Sequence, residues 1–221
     1  HPAYDVRVEG RQTLLDHLHA KKGGAVLLTA HIGSWEVIAR LLARKMEAPV
    51  AVVMAREQNF STRAFAEQIR GRTGVRVIYA DESELSVLTM LRAVREGSLL
   101  AIQLDRPTGG RSDRLVPLFG VDVAFPLGPF RLAQAAGVPM FQVFALREGH
   151  RRYAVRLEEP IRIEGRGEAA AVQGLRQAVL QLETAIRERP HQWFQFQPIA
   201  NGAGRPPDYE IVPHISGRRA R

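Results

Sequence analysis

A short apolar run that leads through a tight turn into an amphipathic helix is the strongest constraint on the fold of this chain. The run, Ala25-Val-Leu-Leu-Thr-Ala30, shows no alternation of polar and apolar positions, which is typical of a strand buried on both faces of a sheet. After a turn at residues 31–33, apolar side chains recur at helical spacing from Trp35 to Met46, and Ser34 is the candidate N-cap. The pattern predicts a strand–turn–helix unit of an α/β fold.

The same alternation of strands and helices continues along the chain. Further strands are expected at residues 49–55, 75–79, 99–104, 140–146 and 153–157. Helices are expected at residues 62–72, 85–95, 125–136 and 169–189. This order predicts a single α/β domain with a mostly parallel or mixed sheet flanked by helices, and an antiparallel strand pair late in the chain. The predicted domain covers residues 1–200, and a tail rich in Gly, Pro and Arg covers residues 201–221.

The composition excludes several chemistries and points to anionic partners. The chain has no cysteine, which excludes disulfides, thiolate nucleophiles and thiolate-bound metals. No apolar run approaches the roughly 18 residues of a membrane span, and residues 1–10 do not resemble a signal peptide. The net charge is +8 and is carried almost entirely by arginine, which favours nucleic acid, anionic lipid or a phosphorylated substrate. A genome that favours arginine codons accounts for the same charge without any partner.

A histidine followed five positions later by an acid marks the turn after the first buried strand. His31 lies at the carboxyl end of that strand, and Glu36 lies in the first turn of the predicted helix. Parallel α/β sheets bind their ligands at this edge. A carboxylate on one imidazole nitrogen fixes the tautomer and leaves the other nitrogen free as a general base. The spacing indicates a candidate His31–Glu36 dyad; a turn histidine and a glutamate placed for the helix dipole are the structural alternatives.

Several arginines are expected on the same rim of the sheet as His31. Arg56, Arg72 and the pair Asp105–Arg106 lie at or near the ends of predicted elements. A guanidinium group binds phosphate bidentately, although solvated loop charge explains each single arginine as well. Backbone amides near Gly33, together with an arginine such as Arg72, are candidates to stabilise an oxyanion.

Other catalytic motifs do not occur in the sequence. No Gly-x-Ser-x-Gly elbow surrounds Ser34, no His-Glu-x-x-His set indicates zinc, and there is no P-loop. The segment Gly165-Arg-Gly-Glu-Ala-Ala170 lacks the third glycine of a dinucleotide fingerprint and is interpreted as a loop. The sequence therefore predicts neither a metal site nor a bound cofactor.

Two apolar segments allow both a core and a lipid interpretation. Residues 116–120 and 125–130 are rich in Gly, Pro and Phe, and they suit the wall of an acyl-chain channel, an interfacial patch or a packed crossover under the sheet. Trp193, Phe194 and Phe196 follow the last predicted helix, where aromatic side chains either close a core or form a membrane-interface belt. Both interpretations remain open for each segment.

Several of these residues match a known family in order and spacing. They are Ala30-His-Ile-Gly-Ser-Trp-Glu36, Arg56, Arg70-Gly-Arg72, Asp105, Val116-Pro-Leu-Phe-Gly120 and Pro190-His-Gln-Trp193. On these residues the chain resembles the bacterial lipid A late acyltransferases, the lauroyl and myristoyl acyltransferases, of the lysophospholipid acyltransferase superfamily. The resemblance covers residues 6–196 and implies the α/β fold of that superfamily.

The resemblance implies an O-acyltransferase that moves a fatty acyl group from acyl carrier protein or coenzyme A to a hydroxyl of a glycolipid or lysolipid. It implies that His31 is the general base, that Glu36 holds it, and that no covalent acyl-enzyme forms. The thioester is a substrate, so no cofactor and no metal is implied. The residues expected to bind substrate are Gly33, Ser34, Arg56, Arg72, Asp105 and Arg106.

The resemblance also implies a peripheral enzyme at the cytoplasmic face of the bacterial inner membrane, in contact with an anionic lipid surface and not with nucleic acid. Lipid A acyltransferases usually carry a hydrophobic N-terminal anchor, and this sequence shows none. The acceptor lipid and the choice between carrier protein and coenzyme A stay open. A basic lipid-binding module without activity and a thioesterase-like hydrolase that uses the same dyad are the alternatives.

Overall fold

The structure, a computed structural model, describes residues 5–20, 23–34, 37–38, 48–55, 75–80 and 84–196. Within these ranges the strands are Asp5–Glu9 (β1), Ala25–Thr29 (β2), Val50–Ala55 (β3), Arg76–Ala80 (β4), Leu99–Gln103 (β5), Asp113–Leu118 (β6), Val121–Pro126 (β7), Met140–Gly149 (β8) and Arg152–Leu157 (β9). The helices are Arg11–His19 (α1), Glu84–Arg95 (α2), Gly128–Ala136 (α3) and Glu168–Glu188 (α4), followed by a 3-10 turn at Pro190–Gln192. The helix predicted at 62–72, and most of the one predicted after the His31 turn, lie outside the described residues.

Seven of these strands form one mixed sheet in the order β1-β9-β8-β2-β5-β3-β4. All of its pairs are parallel except β8 with β9. Strand β2 lies in the middle of the sheet, and all of its residues are buried. The structure thus confirms the prediction of a single α/β domain with a mostly parallel or mixed sheet and an antiparallel pair late in the chain.

Apolar side chains cover both faces of the sheet. Leu28 packs on one face with Phe130 of α3 and Leu182 of α4. Leu27 packs on the opposite face with Leu14 of α1. Because successive side chains of a strand point to opposite faces, a strand covered on both sides favours apolar residues throughout, and the one polar residue of β2, Thr29, stands at its carboxyl end. The unbroken apolar run of β2 follows from this arrangement.

The segment between β5 and α3 differs from the prediction. Residues 113–118 and 121–126 form an antiparallel hairpin, β6–β7, where the sequence predicts a loop up to residue 114 and a helix from residue 125. Helix α3 begins at Gly128, with Pro129 in its first turn, where proline is tolerated because an N–H at that position has no partner within the helix. Phe125 and Phe130 are fully buried, so the segment packs into the core.

Candidate active site

The register between β2 and β5 places the side chains of His31 and Asp105 next to each other. Thr29 ends β2 and pairs with Gln103, which ends β5, and the Leu104 N–H donates to the Thr29 carbonyl at 2.8 Å. His31 and Asp105 each lie two residues beyond the end of their strand. Equivalent positions of parallel strands in register lie side by side. Both residues therefore reach the same point on the carboxyl edge of the sheet, where α/β proteins bind ligands.

His31 and Asp105 contact each other at two points. Nδ1 of His31 lies 2.8 Å from Oδ1 of Asp105, and the backbone N–H of His31 donates to Oδ2 at 2.9 Å. The Asp105 side chain is 0% exposed, whereas that of His31 is 21% exposed. An ionised carboxylate only accepts hydrogen bonds, so Nδ1 carries the proton and Nε2 keeps a free lone pair. The contact therefore fixes the tautomer of a histidine that solvent and ligands can reach.

The buried Asp105 carboxyl stays ionised at neutral pH. Burial on its own raises the pKa of this carboxyl, whereas hydrogen bonds from His31, the charge of His31 and a hydrogen bond from Trp193 lower it. The lowering effects prevail and hold the pKa of Asp105 below its ordinary value. The carboxylate, and not the neutral acid, is the form that faces the imidazole at pH 7.

A C-terminal strap, residues Pro190–Phe194, lies against the turn that carries His31. The Gly33 N–H donates to the Gln192 carbonyl at 2.8 Å. The Phe194 N–H donates to the His31 carbonyl at 2.7 Å. These two bonds bracket the turn, so the backbone around His31 is held from the carboxyl-terminal side as well as by β2.

Two side chains of the strap continue this attachment. The Gln192 side-chain oxygen accepts the Arg147 N–H at 2.8 Å, and its amide group donates to the Arg147 carbonyl at 2.9 Å. Gln192 thus pairs with strand β8 as a neighbouring backbone would. The Trp193 indole N–H donates to Oδ2 of Asp105 at 3.0 Å. The strap therefore connects β8 to the buried carboxylate.

Two backbone amides of the turn, those of Gly33 and Ser34, are engaged in hydrogen bonds. Gly33 has a φ of +64°, and a Cβ at this position would lie 2.0 Å from the Ala145 carbonyl oxygen. The Ser34 N–H donates to that same oxygen at 2.8 Å, and the Gly33 N–H is bound to Gln192. Each backbone residue offers only one N–H, so neither group is free for a ligand. The oxyanion role predicted for amides near Gly33 stays a prediction, and in the structure these two amides bind the carbonyl groups of Gln192 and Ala145.

Exposed cationic and aromatic side chains surround the strap. Arg106, Arg147 and Arg189 are exposed, and none of the three forms an ion pair within the part of the chain that the structure describes. Phe194 is 45% and Phe196 is 86% exposed, and their ring centroids lie 6.4 Å apart. This rim combines exposed positive charge with an exposed aromatic pair.

Four of the predicted site residues keep predicted roles that the structure does not test. Glu36, Arg56 and Arg72 lie outside the described residues, so the contact of Glu36 with His31 stays a prediction. Asp105 is expected from the sequence to bind substrate, and that role also stays a prediction. What the structure shows is its contact with His31, made from a fully buried position.

Sequence reasoning missed the contribution of Gln192 and Trp193. Both aromatic interpretations of the segment consider the apolar surface of Trp193 and ignore its N–H. The available signal is Pro190, which ends the last helix and turns the chain back toward the sheet edge. Gln192 and Trp193 follow this turn directly, so their side-chain donors lie at the sheet edge near His31.

A buried carboxylate that fixes one nitrogen of a histidine at the carboxyl edge of a parallel sheet defines an α/β protein equipped for general-base chemistry. The sequence matches the family of bacterial lipid A biosynthesis acyltransferases over residues 3–199. The chain belongs to this family and is an acyltransferase that acts on a lipid acceptor. No curated protein matches the chain. None of the helices that the structure describes is long and apolar enough to cross a membrane.

Proposed function

We propose that the protein is an O-acyltransferase that moves a fatty acyl group from an acyl thioester to a hydroxyl of a glycolipid or lysolipid. The thioester is carried by acyl carrier protein or coenzyme A and is a substrate, with no further cofactor. The observation that carries the proposal is the 2.8 Å contact between Nδ1 of His31 and Oδ1 of Asp105 in a lipid A acyltransferase family member. This contact leaves Nε2 of His31 as the base for the acceptor hydroxyl.

The reaction begins when Nε2 of His31 takes the proton of the acceptor hydroxyl. The hydroxyl oxygen attacks the thioester carbonyl carbon and forms a tetrahedral intermediate. When this intermediate collapses, the carbon–sulfur bond breaks and the imidazolium returns its proton to the leaving thiolate. The Asp105 carboxylate stabilises the imidazolium between the two proton transfers. Both residues end the cycle unchanged, and no acyl-enzyme is required.

The other predicted residues are proposed to act around this base. Glu36 holds His31, as the sequence motif predicts, and its negative charge stabilises the imidazolium further. Arg72 donates to the oxyanion, a role that needs a side chain because two backbone amides of the turn are already paired. Arg56 and Arg106 bind the phosphate groups of the donor or of an anionic acceptor.

The strap side of the sheet edge is proposed to face the cytoplasmic leaflet of the bacterial inner membrane, with the protein bound peripherally. The exposed Arg106, Arg147 and Arg189 suit anionic headgroups, since a polybasic surface is attracted to an anionic leaflet. Phe194, in the strap, and Phe196, just after it, are exposed, and aromatic rings favour the membrane–water interface. This orientation brings a lipid acceptor to the same edge as His31.

An acyl-transfer assay on the purified protein tests the proposal. The donors are acyl carrier protein and coenzyme A thioesters, the acceptors are lysophospholipids and lipid A precursors, and the products are identified by mass spectrometry. His31→Ala is expected to lower turnover by about 10²–10⁴-fold, as for the loss of a general base. His150→Ala is the matched control, because His150 is also a histidine but is exposed on the β8–β9 turn. A His31→Ala protein with wild-type turnover contradicts the proposal.

The products distinguish the alternatives from one another. A new acylated lipid that the His31→Ala protein does not form supports acyl transfer and names the acceptor. Free fatty acid as the sole product indicates a thioesterase-like hydrolase that activates water. A folded protein that binds anionic vesicles and consumes no thioester is a lipid-binding module without activity.

A further inference from the structure

The Asp105 carboxylate receives three hydrogen bonds, and one of them comes from a residue 88 positions later in the chain. The other two come from the ring and the backbone of His31. An ionised carboxylate has about four lone-pair sites, so all three donors bind at the same time. Trp193 therefore contacts the carboxylate without displacing the imidazole.

Neighbouring residues fix the position of the Trp193 indole from both sides. Before it, the Gln192 amide forms two hydrogen bonds with the backbone of Arg147, at 2.8 and 2.9 Å. After it, the Phe194 N–H donates to the His31 carbonyl at 2.7 Å. The Trp193 ring is half-buried and packs against the apolar cluster on the α4 side of the sheet. Hydrogen bonds on both sides and the apolar contacts of the ring thus hold the indole N–H against Asp105.

We propose that Trp193 is a positioning residue for acyl transfer: its indole N–H holds the Asp105 carboxylate in the orientation that fixes the His31 imidazole. The inference rests on the proposed function, which makes His31 the base. Among the described residues, Trp193 is the only donor to this carboxylate outside His31. The ring donor of His31 turns with the imidazole, and the His31 backbone N–H belongs to the turn that carries this same residue, so neither ties the pair to another part of the fold. Trp193 does so, because the strap anchors it to β8.

A double-mutant cycle separates this role from a purely structural one. Trp193→Phe removes the N–H and keeps an aromatic ring, and we expect it to lower kcat about tenfold, as for the loss of one hydrogen bond to a charged group, with KM unchanged. In the Asp105→Ala background, which leaves no acceptor for the indole N–H, Trp193→Phe is expected to have no further effect on kcat. Rates are measured per mole of folded protein. An equal loss in both backgrounds, or no loss in the wild-type background, overturns the inference.

A second measurement does not depend on activity. The chain has two tryptophans, so a nitrogen–proton correlation spectrum shows two indole signals, and Trp193→Phe identifies one of them by its disappearance. We expect that signal to move when Asp105 is replaced by Asn. In the wild-type protein it should also titrate at acid pH with a midpoint below that of an ordinary aspartate, because the pKa of Asp105 is lowered. An indole signal that shifts neither in the Asp105→Asn protein nor at acid pH overturns the inference.

The two measurements together distinguish failure of the inference from failure of the proposed function. If the indole signal responds to Asp105 and the wild-type protein transfers no acyl group to any acceptor, the proposed function has failed. The hydrogen bond is then only structural, and the positioning role falls with it. If transfer is measured and the cycle is additive, the proposed function stands and the role of Trp193 alone is refuted.

Discussion

Nδ1 of His31 and Oδ1 of Asp105 lie 2.8 Å apart although 74 residues separate them in the chain. The sequence motif associates His31 with an acid five positions later, whereas this contact joins two neighbouring strands. It depends on the register in which Thr29 of β2 pairs with Gln103 of β5. Because a one-residue shift of a strand turns every side chain to the opposite face, the pairing of β2 with β5 determines the chemistry as much as the residue types do.

Replacing Asp105 by Asn is expected to lower kcat by about 10²–10⁴-fold. The neutral amide cannot stabilise an imidazolium, and its NH2 group favours the wrong tautomer of His31. Steady-state acyl transfer, measured per mole of folded protein, checks the expectation. Asp5→Asn is the matched control, because Asp5 is exposed on β1 and should keep wild-type kcat. An Asp105→Asn enzyme as active as this control would refute the role of Asp105.

The stability that Asp105 contributes is expected to disappear at acid pH. The folded-state pKa of Asp105 is below its ordinary value, while the unfolded chain has the ordinary value of about 3.9. The unfolded state therefore binds the proton more tightly, and the contribution is complete above about pH 5 and is lost as the pH falls through the folded-state pKa. Urea denaturation of wild-type and Asp105→Asn proteins should show a stability difference at pH 6 that shrinks at pH 3. A difference that is constant or grows toward pH 3 would contradict this sign.

Replacing Gly33 by Ala is expected to destabilise the fold by more than about 3 kcal/mol, since it adds a severe clash to a strained backbone conformation. The new Cβ would lie 2.0 Å from the Ala145 carbonyl oxygen at a φ of +64°. Gly137 provides a control with a similar φ of +70° and no atom within 4 Å of its Cβ position, so Gly137→Ala should cost only about 1–2 kcal/mol. Chemical denaturation of both variants checks the difference. Equal losses would show that the close contact is not important.

Replacing Phe194 and Phe196 by Ala is expected to weaken binding to anionic vesicles by about 100-fold or more, because burial of each large apolar side chain contributes about 1.5–3 kcal/mol. Co-sedimentation with vesicles that contain phosphatidylglycerol measures the effect. Leu180→Ala is the control, because Leu180 is 65% exposed on α4, outside the rim around the strap. If the Leu180 variant loses as much binding as the double variant, the membrane does not contact this edge.

The parts of the fold that repeat a local pattern could be predicted from the sequence. The helices predicted at 85–95 and 169–189 are observed as Glu84–Arg95 and Glu168–Glu188, because apolar residues at helical spacing define them without reference to distant parts of the chain. The continuous apolar run of β2 likewise predicts a strand buried on both faces. His31 could be placed at the carboxyl edge for the same reason, since it directly follows that run.

The parts that depend on distant partners could not be predicted. Strand β1, residues Asp5–Glu9, alternates valine with charged residues, which indicates a strand, but only its pairing with β9 places it at the edge of the sheet. Prolines in and after the β6–β7 hairpin obscure its strand character, because proline is normally confined to edge strands and turns. The bond from Trp193 to Asp105 joins residues 88 apart; Pro190 indicates that the chain turns after the last helix, but no local pattern identifies Asp105 as the partner.

The strap also determines when the site is completed during protein synthesis. The ribosome adds Trp193 88 residues after Asp105. At an elongation rate of about 5–20 residues per second, this interval lasts about 4–18 s. During that time the nascent chain contains both the histidine and the aspartate, while strand β8 and the indole that anchor them are still being made. A chain released early, before Pro190, would therefore contain both His31 and Asp105 but lack the strap that holds them in place.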